Sequence, residues 1–208
     1  MKITQWEPKG FQLETTTVWG FKNRDNWAPH DGCCCRNWSL YIPSNLILLY
    51  LQPREVVLDY FCDAITISVK TKLLSRRCIT HDISLDALAL AKEKLEFQLS
   101  QNVPSGNGDT FVEPKLVLGD ARDLPSLETD SIDLICAHPP YAGIINYSVN
   151  EVEGDLSIHS VPEFLSEMQK VARESYLALK PGRQCAILIR DSQKSKHNRF
   201  AYAISNDK

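Results

Sequence analysis

Short runs of β-branched and aliphatic residues alternate with helix-compatible stretches from residue 43 to residue 190. Pro43 opens a short apolar helix to Leu51, which stops before Pro53. Val56–Phe61 reads as a buried strand, and 66–74 is helix-compatible. Cys78–Ile83 is a second strand, after which Ser84 caps a helix with Leu85, Leu88, Lys92, Leu95 and Leu99 at helical spacing. A Gly/Asn/Pro/Ser loop at 102–110 leads to strand Lys115–Gly119, and Ile132–Ala137 is a fourth strand. A long helix is expected over Val161–Lys180, capped by Ser160 and stopped by Pro181-Gly182, with Leu165, Met168, Ala172, Tyr176 and Leu179 as its apolar stripe. Cys185–Arg190 is the fifth strand. Alternation of this kind implies an open, mostly parallel α/β sheet. Ligands of such sheets bind beyond the carboxyl ends of the strands, near the point where strand order reverses.

The chain has 208 residues, which fits one α/β domain (41–208) preceded by an irregular arm (1–40) holding all four tryptophans. A charged fraction of 24% and a hydrophobic fraction of 43% exclude a disordered or fibrous chain. The net charge of −3 carries no global basic footprint, although a local basic face remains compatible with it. Seven cysteines and no signal peptide argue against a disulfide scaffold, so the chain reads as cytoplasmic and reduced. Cys33-Cys34-Cys35 lacks zinc-finger spacing, so no metal is expected; the other four cysteines read as small buried hydrophobes. The longest apolar run, near Leu46–Leu51, is too short to span a bilayer.

Three strand ends carry candidate chemistry. Asp82 lies 23 residues after Asp59, a spacing that places an acid on the hydroxyls of a nucleoside ribose; a helix-capping role is the plain alternative. Asp120 in Gly119-Asp120-Ala121 either accepts a hydrogen bond from an adenine amino group or makes an ordinary turn. His138-Pro139-Pro140-Tyr141 removes two backbone N–H donors directly after a strand, leaving carbonyl acceptors beside an aromatic face. That suits an exocyclic amino group to be held and stacked; a proline-stiffened strand exit with Tyr141 packed on the core is the alternative.

In this order, Asp59-Tyr60-Phe61, His81-Asp82-Ile83-Ser84, Gly119-Asp120-Ala121 and His138-Pro139-Pro140-Tyr141 resemble the DNA amino-methyltransferases, which methylate adenine N6 or cytosine N4 with S-adenosylmethionine. The resemblance covers roughly residues 17–191. It takes in the Asn37-Trp38-Ser39 to Ile47 stretch, which in that family closes over the cofactor's methionine end, and Glu153–Ser157. It implies a Rossmann-like class I methyltransferase fold. Asp59, Phe61, Asp63, Ile65, Thr66, Asp82, Ile83, Asp120 and Ala121 would line the cofactor, with Asp82 on the ribose and Asp120 on the adenine. His138, Pro139, Pro140 and Tyr141 would be catalytic, Tyr141 stacking on a flipped-out base while carbonyls near His138 and Pro139 accept from the amine. DNA is the implied partner, in DNA methylation of the restriction–modification kind, with no membrane and with a second copy or a separate subunit for site recognition.

The sequence departs from that family at three places. The family's motif has His138 replaced by Asp, Asn or Ser, and its cofactor loop has glycine where this chain has Asp63 and Ile65. Only 9 glycines occur, where average usage of about 7% gives roughly 15, and none lies between Gly32 and Gly106. A β-branched residue resists positive φ, at a cost of about 1–3 kcal/mol, and impaired cofactor binding is therefore expected. The 17 residues after Asp191 leave no room for a further helix and the family's antiparallel hairpin; Lys194–Arg199 reads as solvated and 200–205 as at most one short strand. Lys70, Lys72, Arg76 and Arg77 are either phosphate contacts or, more plainly, a solvated helix end. Two other functions remain open: a remnant of the fold that binds nucleic acid or a partner without catalysis, and an RNA amino-methyltransferase.

Overall fold

The computed structural model describes residues 2–3, 11–21, 39–62, 65–99, 111–142, 152–189, 192–195 and 198–200. Its centre is a five-stranded sheet made of β2 (Val56–Asp59), β3 (Arg77–Asp82), β5 (Lys115–Leu118), β6 (Ile132–Ala137) and β7 (Leu179–Ile187). All neighbouring pairs are parallel and the spatial order is β5-β3-β2-β6-β7. Counted along the chain, these strands run 3-2-1-4-5, the doubly wound Rossmann-like order. The reversal point lies between β2 and β6, where Val57 stands beside Leu134 and Leu58 beside Ile135. β1 (Lys2–Ile3) and β4 (Gln98–Leu99) form a separate parallel pair.

Helices cover the sheet because each offers it an apolar face. α1 (Tyr41–Tyr50) begins two residues before the expected Pro43 start. Two pieces of the arm's backbone and rings fasten onto it. Asn45 accepts from the Glu14 N–H at 2.7 Å and donates to the Glu14 carbonyl at 2.9 Å, and Phe11 and Phe21 stack on Tyr41. α2 (Thr66–Leu73) is buried along its whole length. α3 (Leu85–Leu95) starts at Ser84, whose hydroxyl accepts from the Ala87 N–H. α3 stops at Leu95, short of the expected Leu99, which instead pairs with Ile3 in β4. α4 (Val161–Ala178) starts at the expected Ser160 cap, which forms a capping box with Glu163, but its buried stripe is Met168, Val171, Ser175 and Ala178. Leu165 and Tyr176, expected inside, are 40% and 55% exposed. The face is rotated because Ser175 is buried through a hydrogen bond to the Tyr60 hydroxyl.

β7 also begins earlier than expected, at Leu179 instead of Cys185. Leu179 pairs with Ile132 and Gln184 with Leu134, so residues 180–183 bulge opposite Asp133. Pro181 lacks an N–H for the ladder and Gly182 sits at φ +74, so both suit a bulge. Asp133, 2% exposed, holds the bulge through Lys180 at 2.8 Å and Arg183 at 3.1 Å, and accepts from the Val56 N–H. After β7, β8 (Ser192–Ser195) and β9 (Asn198–Phe200) pair antiparallel in a two-stranded sheet of their own. The sequence does not place strands at 192–195 and 198–199; the pair does not extend the parallel sheet.

Among the described residues no helix is long and apolar enough to cross a membrane. Cys62, Cys78 and Cys136 are buried free thiols and Cys185 is half-buried. Burial pushes Cys78 and Cys185 up to about 11, so neither is a thiolate at neutral pH. Cys33-Cys34-Cys35 lies outside the described residues.

Candidate functional site

Parallel pairing puts the carboxyl ends of all five strands on one side, and the candidate residues gather there. Asp59 ends β2, is 1% exposed, and accepts from the Phe61 N–H at 3.2 Å through Oδ1. Phe61 is half-buried edge-on to Tyr60, at 5.2 Å between ring centroids. Asp63 lies outside the described residues. Asp82 ends β3 and bridges two turns: Oδ2 accepts from the Cys62 N–H at 3.0 Å and Oδ1 from the Ser84 N–H at 2.8 Å. Asp82 therefore organises the α3 start, as the capping reading expects, and its bond to Cys62 also links β3 to the residues that follow β2. Ile83 is half-buried beside it.

Ile65 takes the left-handed conformation, at φ 59 and ψ 14, and serves as the N-cap of α2. Its N–H donates to the Cys62 carbonyl at 2.7 Å. The backbone keeps the geometry for which glycine is the usual residue, despite the β-branch. The side chain is 1% exposed and packs with Cys62, Val69, Leu73, Leu88, Ala91, Leu95 and Phe97. Burial of the isoleucine thus offsets the strain, and its bulk is directed into the core. Thr66, in the first turn of α2, is 3% exposed, and its Oγ1 has no hydrogen-bond partner among the described residues. A buried orphan hydroxyl at a helix N-terminus fits a polar ligand group there.

Asp120 follows β5. Its Oδ1 accepts from the Arg122 backbone N–H and from Nε, both at 2.9 Å, and its Oδ2 accepts from Nη2 at 2.5 Å and from Nε at 3.0 Å. Burial alone would raise this carboxyl, but the Arg122 bonds outweigh it and hold it below the usual range. Ala121 is buried in the main core. Next to this end, His81 is 2% exposed, and neither ring nitrogen has a partner among the described residues. Burial, helped by the Lys115 charge, lowers its affinity for a proton. A Cβ at Gly119 would come 2.9 Å from His81 Nδ1, so glycine leaves room for the ring.

This histidine gives a pH dependence of stability. Its folded pKa lies below the unfolded value of about 6.5, so the unfolded chain binds the extra proton. The contribution is fully present above that value and is lost as pH falls through it toward the folded value. Urea midpoints measured at pH 7.5 and 5.5 should fall in the native chain and fall less in His81→Phe. An equal fall in both would contradict this assignment.

On the other side of the reversal point, His138 is 6% exposed, Pro139 is buried, and Pro140 and Tyr141 are half-buried. His138 Nε2 lies 3.0 Å from the Tyr141 hydroxyl, with the rings edge to face at 5.5 Å. The tyrosine is thus held by the histidine of its own motif, which neither expected reading included. The structure brings Asp59, Phe61, Ile65, Thr66 and Asp82 together around one turn, places Asp120 beyond β3, and sets His138–Tyr141 across the reversal point.

Three of the four basic residues considered for phosphate contact are buried, which overturns both readings for them. Lys70 is 1% exposed. Lys72 donates to the Leu95 carbonyl at 2.7 Å, pairs with Glu113, and sits 4.5 Å from the centre of the Phe97 ring. Arg76 donates to the carbonyls of Leu74 and Leu51. Arg77, exposed, begins β3 at the end of the sheet away from the site.

No protein-family model matches the chain. No curated protein sequence matches it. Solved structures similar in fold include a SAM-dependent methyltransferase from Methanosarcina mazei, 23% identical over 68% of this chain, with a TM-score of 0.46. They also include a TehB-like SAM-dependent methyltransferase from Corynebacterium glutamicum, 17% identical over 70% of this chain, with a TM-score of 0.44. The chain spans 55% of the first and 60% of the second.

Proposed function

We propose that this chain is a methyltransferase domain that holds S-adenosylmethionine at the ends of β2, β3 and β5. Its proposed acceptor is the exocyclic amino group of adenine or cytosine in DNA. The observation that carries this reading is the joint placement of two turns at the reversal point. The Asp59–Thr66 turn is tied to Asp82, and the His138–Tyr141 turn lies beside it on the neighbouring strand.

Thr66 Oγ1 would meet the polar methionine end, and the Asp82 carboxylate at the end of β3 the ribose hydroxyls. Asp120 would accept from the adenine amine. S-adenosylmethionine supplies an electrophilic methyl group on a sulfonium when bound. Pro139 and Pro140 offer no N–H, so that edge of the site presents acceptors to an incoming amine. His138 holds the Tyr141 ring through its hydroxyl and so would orient it for a base to stack on. The left-handed Ile65 favours a working cofactor loop over a remnant, because the backbone conformation is kept.

Tritiated-methyl transfer measured on DNA, tRNA and protein pools tests the reading. Label in DNA, reduced about a hundredfold by Tyr141→Ala for roughly 2.7 kcal/mol of lost positioning, is expected. Label in tRNA or protein would move the acceptor, and no label in any pool would contradict the activity. Readout of a DNA sequence would fall to the arm, the 142–160 stretch, a second copy or a recognition subunit.

A further inference from the structure

The second half of β7 is an open edge. β6 lies on one side of it, and no described strand lies on the other. The Leu188 N–H donates to the Ala137 carbonyl of β6 at 3.0 Å. By alternation, the N–H and C=O groups of Cys185, Ile187 and Ile189 point away from β6. The bulge, Pro181 and the charges of Lys180 and Arg183 guard the first half of this edge, but Cys185–Ile189 contains no proline, glycine or charge. α4 leaves an apolar flank on the same side. Its other flank faces the loop after β5, where Glu167 bonds Arg122 and Glu174 accepts from the Leu124 N–H at 3.1 Å. Around the helix from those two acids lie Leu165, Gln169, Ala172 and Tyr176, which the sheet leaves uncovered, Leu165 at 40% and Tyr176 at 55% exposure. Cys185 packs on the core beneath α4, and Ile187 and Ile189 share its face of β7.

We propose that this surface is a two-fold interface between two copies of the chain, in which β7 pairs with the partner's β7 and α4 packs on the partner's α4. Both parts read the same in either direction. Antiparallel pairing centred on Ile187 sets Cys185 opposite Ile189 of the partner subunit and satisfies the open backbone groups. The steps from Leu165 to Tyr176 are four, three and four residues, so an antiparallel helix pair sets Leu165 against Tyr176 of the partner subunit. A two-fold axis perpendicular to the sheet makes both contacts at once, because it keeps the two α4 helices on one face. The two centres lie close together. Leu58, Ile135 and Cys185 stand in register, so Ile187 is level with Tyr60, whose hydroxyl meets Ser175 of α4. A lone peptide strand would satisfy the edge but leave the α4 stripe wet, whereas a second copy covers both. The paired strands run in opposite directions, so the two crevices at the strand ends open away from each other. The interface therefore stands apart from the reading of those crevices.

Sedimentation equilibrium of the full chain tests the proposal. The native chain should be a dimer at about 10 μM. Leu165→Glu combined with Tyr176→Glu changes only exposed positions. It should keep the circular dichroism of the native chain and raise the dimer dissociation constant about a hundredfold or more, because charge would be buried without a partner. Ile187→Cys lies on the axis, where paired Cα atoms about 5.5 Å apart are within disulfide reach. On mild oxidation it should cross-link to its copy above the level in the native chain, and lose that gain when Tyr176→Glu is added. A native chain that is monomeric at about 100 μM, with the edge covered by another part of the chain or left open, would overturn the inference. A dimer that the paired glutamates leave unchanged would overturn it as well.

Discussion

Ile65→Ala should destabilise the fold by about 3–4 kcal/mol, and Ile65→Gly by about 1 kcal/mol less. The order is the reverse of the usual one, in which alanine is the better residue. Both variants remove a side chain that is 1% exposed among seven core neighbours. Only glycine also relieves the φ of 59, because an L side chain in that region crowds the following carbonyl. Denaturant unfolding of the three chains measures this directly. If the alanine variant is as stable as the glycine variant, Ile65 carries no backbone strain. The same geometry corrects the expectation that a β-branched residue does not readily take a positive φ in this loop, since Ile65 holds φ 59. A glycine pair at 63 and 65 would restore a family-like loop while opening a core cavity, so any gain in affinity comes with a loss of stability.

Asp82→Ala should have two large effects at once. It removes the acceptor for the Cys62 and Ser84 N–H groups, and charge-assisted hydrogen bonds contribute about 1.5–3 kcal/mol each. With Asp82 half-buried, a loss near the lower bound of the pair, about 3 kcal/mol, is expected. It also removes the proposed ribose acceptor, which should weaken nucleoside binding about a hundredfold, at about 1.4 kcal/mol per decade. Asp82→Asn separates the two effects. It keeps an amide oxygen for one of the two backbone donors, so no more than about half of the stability should return while the charge stays absent. A thermal scan gives the first effect and a binding titration the second.

Much of this molecule is legible in its sequence. Val56–Asp59, Arg77–Asp82 and Ile132–Ala137 stand where aliphatic runs place strands, because buried parallel strands need apolar residues on both faces. The site residues lie at strand ends for the same reason. The misreadings come from tertiary partners that spacing does not encode. Leu99 continues the spacing of α3, but the helix stops at Leu95 and Leu99 joins a two-stranded sheet. Ser175 looks like a surface residue of α4 until the Tyr60 hydroxyl is beside it. Lys72 and Arg76 read as solvated until carbonyls, Glu113 and an aromatic ring are found around them. Arg122, two residues from Asp120, was within reach as a local ion pair, but its bond to Glu167 is not.

The role of the strand ends turns most directly on one calorimetric titration, S-adenosylhomocysteine into the native chain and into Asp82→Asn. Saturable binding at one site is expected for the native chain, with at least a tenfold loss in a variant that still unfolds cooperatively. No binding by the native chain, or equal affinity in the two, would contradict the assignment of this crevice to the cofactor.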